Sequence, residues 1–192
     1  MPSPSAPRRL DADTRRAQLL EAAQALFIER GFEGVGMNDV AHALGTSRPT
    51  VYAYFTSTEA MLRALLDARL PALWQRLRPL LDTGTGLAAL DYAAIFTALL
   101  HERDLLLLMH SGGGPTFREE RARFLDELAA LLAPYRPEHA ARHDGALRIV
   151  TLLLEAVAVE SLRHPGATPG DVDDTLAAFI AGGLAALRRA PA

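Results

Sequence analysis

The chain has 192 residues, a formal net charge of −3, 49% hydrophobic residues and no cysteine. That length allows one or two domains with a real core, and the lack of cysteine excludes disulfides and thiolate metal sites. The slight acid excess does not advertise a nucleic-acid partner, and residues 1–55 carry six arginines against six acids, so any such case must rest on arrangement.

The opening "MPSPSAPRRLDADTRR" has no apolar segment behind its charges, so a secretory signal is not expected. Its Pro and Ser content predicts a flexible arm over residues 1–13, carrying Arg8 and Arg9. From Thr14 to Arg30, Leu19, Leu20, Ala23, Leu26 and Phe27 recur at the spacing of one helix face. Gly31 supplies a left-handed cap, and Phe32 folds back onto the last turn. A short helix is predicted over Met37–Leu44, with Gly36 as its N-cap and Gly45 breaking it. Ser47 caps a third helix through Phe55, with Pro49 tolerated in its first turn. Thr56–Thr58 cap a fourth, reaching Leu81 and kinked at Pro71. Further helical patterns cover Leu87–His101, Asp104–His110, Thr116–Ala133, Glu138–His164 and Asp171–Arg189. The breakers "DTGTG", "SGGGP", "PYRP" and "PGATPG" separate them. The expectation is an all-α chain of about nine helices, three short ones first and a larger bundle after.

Helix-turn-helix units need a small residue in the first helix, a turn-forming residue, and a branched apolar plug in the second. Ala41, Gly45 and Val51 stand in that order. Phe55 and Val51 are expected to be core, with Phe27 and Phe32 beneath them. Alone the triplet is a moderate signal in an Ala-rich chain.

The context sharpens it. The stretches "LFIERGF", "MNDVAHALGTS" and "TVYAYF" together resemble the N-terminal domain of the TetR family of transcriptional regulators, over about Arg15 to Leu65. The resemblance implies three regions: the arm at 1–13, a helix-turn-helix DNA-binding domain at 14–58, and a ligand-binding and dimerisation domain at 59–192. It implies that the helix after Gly45 enters the major groove. Arg48 can then pair with guanine or grip a phosphate, and Thr50 can hydrogen-bond or touch a thymine methyl. In similar proteins the position of Tyr52 binds a backbone phosphate, and that of Tyr54 reaches phosphate or a base edge. Thr46, Ser47 and Pro49 shape the entry, while Arg15 and Arg16 could track the backbone. Two departures matter. The family usually has Lys where this chain has Thr58, and Thr or Ser where it has Gly36. Both weaken backbone contacts, so affinity should be modest with a shallow salt dependence.

The remainder is read as sensor and dimer seam. Leu176, Phe179, Ile180, Gly183, Leu184 and Leu187 form a stripe on the last helix, and Leu147–Val159 is apolar nearly all round. Val150, Leu153 and Val157 are candidate seam residues on that helix, since similar proteins dimerise through their last two helices. Candidate ligand-lining residues are Trp74, Tyr92, Phe96, His101, Met109, His110, Phe117 and Glu155; packing is the competing reading for each. Glu155 could bind a polar ligand group, or simply face solvent or an arginine. His139 and His143 have metal-compatible spacing but lack a convergent third ligand, so no metal is expected. Neither a nucleophile–base arrangement nor a phosphate loop stands out, so neither enzyme activity nor a cofactor is expected. The longest uncharged run in the C-terminal third, Thr175–Leu187, is too short to span a bilayer. The reading is a cytoplasmic homodimeric regulator, most simply a repressor. It binds a palindromic double-stranded operator and is released by a small apolar or aromatic effector. The alternative is an all-α small-molecule-binding protein or enzyme without specific DNA binding.

Overall fold

The computed structural model describes residues 12–81, 86–135, 144–165 and 171–189. Most of the expected arm, with Arg8 and Arg9, lies outside them, as do His139 and His143. The described residues form nine α-helices and no strand. The chain divides into two compact units, Met1–Asp67 and Ala68–Ala192.

The first unit begins with α1, Ala12–Arg30. It ends because Gly31 takes φ 77°, a backbone state that a side chain resists. Phe32 then packs its ring 5.0 Å from that of Phe27, tilted by 52°. The second helix, α2 (Met37–Ala43), starts at Gly36 as expected. The sequence reading missed how that weak cap is reinforced: Asp39 Oδ2 accepts the Gly36 N–H at 2.8 Å. The third, α3, is the five-residue helix Arg48–Tyr52, shorter than expected. Ser47 caps it, its Oγ accepting the Thr50 N–H at 3.3 Å. The fourth, α4, runs over Thr58–Leu81 and carries through Pro71 and Pro79. Its cap is Ser57, whose Oγ accepts the Ala60 N–H at 3.2 Å. Leu19, Phe27, Val40, Ala41, Val51, Phe55 and Met61 are buried and form the core of this unit.

The second unit takes the rest of α4 and five more helices. Leu87 opens a short 3-10 turn, after which Asp91 caps α5, Tyr92–His101, by accepting the Ala94 N–H at 2.9 Å. Next come α6, Arg103–Met109, and α7, Pro115–Leu132, which begins on its proline after the glycine-rich breaker. The last two are α8, Asp144–Arg163, and α9, Val172–Arg189. Helix α8 packs against α5, α6, α7 and α9. That explains its apolar character within one chain, without a partner on most of its surface.

One charge sits in this interior. Glu155 on α8 is fully buried. Arg121 on α7 grips it with two bonds, Nε to Oε1 at 2.8 Å and Nη2 to Oε2 at 2.9 Å. His110, just past α6, places Nε2 2.5 Å from the same Oε1. Burial alone would raise the carboxyl; the bonds from Arg121 and His110 outweigh it and hold the group at about 2. Arg163 adds a bond to the His110 carbonyl at 2.8 Å. Three helices are thereby tied at one carboxylate.

Arg121→Ala leaves Glu155 with His110 alone and should cost about 3 kcal/mol in urea unfolding, near the lower end for a broken buried pair; a loss below about 1 kcal/mol contradicts the tie. The carboxyl's folded value lies below its ordinary 4.5. Its stabilisation is therefore complete above that pH and drains away as pH falls towards 2, a slope the Arg121→Ala variant should flatten. Gly45 has φ +58° with open space around a built Cβ. Gly45→Ala should therefore cost about 1–2 kcal/mol through backbone strain rather than collision; an unchanged melting curve would show the strain is absent.

Candidate nucleic-acid interface

The steep junction of α2 and α3 follows from three residues. Ala41, 4% exposed, offers no bulk; Gly45 turns the chain; Val51, fully buried, plugs the gap. The turn is closed by backbone bonds, Gly45 N–H to His42 O at 3.0 Å and Thr46 N–H to Ala41 O at 2.9 Å. With Val51 and Phe55 inward, the helical period forces Arg48, Pro49 and Tyr52 outward. All three are exposed, and Thr46, Thr50 and Tyr54 are half-exposed.

The outward face is ordered by its own bonds. Ser47 Oγ and Thr50 Oγ1 lie 2.8 Å apart. Arg48 Nη2 donates to Tyr52 Oη at 3.1 Å, and its guanidinium carbon sits 5.2 Å from the centre of the Tyr52 ring. A cation, two hydroxyls and a phenol thus stand together on a five-residue helix and its capping residue. This set can donate to base edges or phosphate oxygens.

The other expected contacts are placed differently. Arg16 lays its guanidinium over the Phe55 ring at 4.9 Å, and Arg15 donates to Gln18 at 3.3 Å. Each has an intramolecular role alongside any external one. Thr58 does not cap α4, since Ser57 does; its Oγ1 lies 3.5 Å from Glu59 Oε2 instead. The Glu59 carboxyl is held below its usual range, first by its own backbone N–H and then by Ser57. This corner therefore holds a carboxylate, with the Arg63 charge also acting on it, beside the position where the family's lysine would stand.

In the second unit, the expected ligand residues separate into groups. Tyr92, Phe96, Met109 and Phe117 are buried in the core. The Tyr92 hydroxyl is already bonded to Leu87 O at 2.6 Å, and burial pushes the phenol up. Trp74 stacks on Phe124 at 5.4 Å and donates Nε1 to Glu127 at 2.8 Å. His101 is exposed, with Nδ1 2.8 Å from Thr97 O. His110 and Glu155 are brought together, and the arginine that Glu155 meets is Arg121, 34 positions away, which no local pattern signals. Among the seam residues, Val150, Leu176, Ile180 and Leu184 are buried inside this unit, and Leu153 and Val157 are half-buried. Phe179, Gly183 and Leu187 face outward, joined by Ile149, which the sequence reading passed over. No group of acids and histidines suited to a metal occurs among the described residues, and none of their helices is long and apolar enough to cross a membrane.

Residues 19–65 match the family described as bacterial regulatory proteins, tetR family. The chain is 38% identical over 77 residues to the transcriptional activator FasR of Mycolicibacterium smegmatis, covering 40% of this chain and 35% of FasR. It is 29% identical over 118 residues to the transcriptional repressor KstR2 of Mycobacterium tuberculosis, covering 60% of this chain and 59% of KstR2. The matches thus span about a third and three-fifths of those relatives. A crystal structure of a TetR-like transcriptional regulator from Rhodococcus sp. RHA1 shares the fold, with a TM-score of 0.69 at 21% identity, over 92% of this chain and 99% of that one. The match falls on the residues that build the α2–α3 junction: residues 19–65 form a segment of the kind found in bacterial regulatory proteins of the tetR family, set in an all-helical chain that shares the fold of the Rhodococcus regulator.

Proposed function

We propose that the protein is a transcriptional regulator that binds operator DNA through α2 and α3 and acts by binding rather than turnover. The observation that carries this is the outward set Ser47, Arg48, Thr50 and Tyr52 on a helix pinned inward by Val51. Relatives of known role point the same way, since FasR and KstR2 are both named as transcriptional regulators. One is an activator and the other a repressor, so the head does not set the sign of control. Repression is the simpler reading, because a bound dimer excludes polymerase without further contacts. The alternative of a DNA-independent binding protein or enzyme has no such support.

The protein works as a homodimer with two heads on half-sites about 34–36 Å apart. The seam is the outward face of α8 and α9. Phe179 is 66% and Ile149 59% exposed, a costly display for large apolar side chains on a single chain. Gly182 and Gly183, beside Phe179, have nothing within 4 Å of a built Cβ, leaving room for a second copy. Leu176, Ile180 and Leu184 support that face from beneath. A small apolar effector, entering among the aromatic and leucine side chains of the second unit, favours a dimer whose heads are wrongly spaced. Operator affinity then falls by the effector's preference for that state and no more. The arrangement suits a cytoplasmic protein working beside the chromosome, with head and sensor joined along α4, where the compact units divide after Asp67 rather than at its start near 58.

Selection from a random double-stranded pool should return an inverted repeat, and Arg48→Ala should weaken binding to it at least tenfold. Recovery of no preferred sequence contradicts the proposal. Affinity should fall with salt less steeply than the slope of about −9 given by ten phosphate contacts. The seam is tested by sedimentation: Phe179→Glu should convert a dimer to a 20.7 kDa monomer. A dimer that survives that substitution places the interface elsewhere.

A further inference from the structure

The contact between Arg48 and Tyr52 is more specific than DNA attraction requires. An exposed arginine can neutralise a phosphate while its long side chain remains mobile. Here the guanidinium is held twice, by its bond to Tyr52 Oη at 3.1 Å and by the ring beneath it at 5.2 Å. These restraints hold one edge of the group against the phenol and reduce the rotamer freedom it must lose on binding. Of its five N–H donors, the hydroxyl uses one, which leaves an in-plane pair for a partner with two adjacent acceptors. In the major groove, guanine O6 and N7 form that partner. Arg48 is also the sole cation between Gly45 and Thr58. The neighbouring hydroxyls of Ser47 and Thr50 are paired to each other at 2.8 Å.

Resting on the DNA-binding reading above, we infer that Arg48 reads a guanine in the half-site and that Tyr52 is a positioning residue acting through Arg48, not an independent phosphate contact. The phenol holds the fork in the plane of the base pair. Tyr52 then contributes to discrimination at one position rather than to affinity for DNA in general.

The test uses the full chain and the sequence recovered from the random pool, with each half-site base pair replaced in turn. The unaltered protein should lose roughly tenfold to a hundredfold at one G·C pair. Arg48→Ala should be indifferent to that pair. Tyr52→Phe, which keeps the ring, should reduce the discrimination severalfold, and Tyr52→Leu, which removes ring and hydroxyl, should reduce it further. Neither should change the salt slope, and Arg48→Ala with Tyr52→Phe should bind no worse than Arg48→Ala alone. If Tyr52→Phe weakens every sequence equally, or the paired substitution loses the product of the single losses, Tyr52 is an independent contact and the inference is overturned. Discrimination at G·C that survives Arg48→Ala overturns it as well. A chain that selects no sequence overturns the regulator reading itself, an outcome distinct from additive losses on a selected site. Both side chains are exposed, so unchanged melting of the variants separates these effects from misfolding.

Discussion

The turn at Gly45 is the constraint on which the outward face of the first unit depends. The chain must reverse between α2 and α3 at a φ of +58°, with Ala41 small enough for the helices to approach. Once Val51 enters the resulting gap, the phase of α3 is set. A five-residue helix has few internal bonds and little stability of its own. It persists because Ser47 closes its start, Pro49 presets its first turn, and Val51 and Phe55 anchor it below. Its exposed residues are therefore presented by packing, not by the helix's own strength.

The second unit solves a different problem. Its helices are rich in leucine and alanine, and such surfaces slide past one another without much penalty. A buried carboxylate does not slide. Glu155 can remain charged only where Arg121 and His110 meet it, so α6, α7 and α8 share one register. The net stability of such a group is small beside the cost of removing one partner. Its consequence is specificity of arrangement. An effector that enters this interior must leave the tie intact or replace what it supplies.

The local features were the legible part. Gly31, Gly45, Ser47 and the spacing of apolar residues each act within a few positions, so their effects can be read along the chain. The helix count, the turn, and the burial of Val51 and Phe55 followed from such signals. Features that depend on distant partners did not. Nothing near Arg121 marks it as the mate of Glu155, and nothing near Trp74 points to Glu127. The α9 stripe shows the limit of periodicity: Leu176, Ile180 and Leu184 face their own unit, while Phe179 and Leu187 face away, because the apolar arc is wider than the contact it makes within the unit. The reinforcement by Asp39 was readable in principle, since an acid at N3 is a known signal, and Ser57 falls within the Thr56–Thr58 stretch expected to cap α4.

The claim that α2 and α3 form the DNA interface is tested most directly by amide hydrogen exchange of the full chain, with and without a selected operator. An interface at this junction predicts new protection from Gly45 to Phe55, with little change in the exposed stretches of α7. Protection confined to the second unit, or none on this junction at saturating operator, would contradict it.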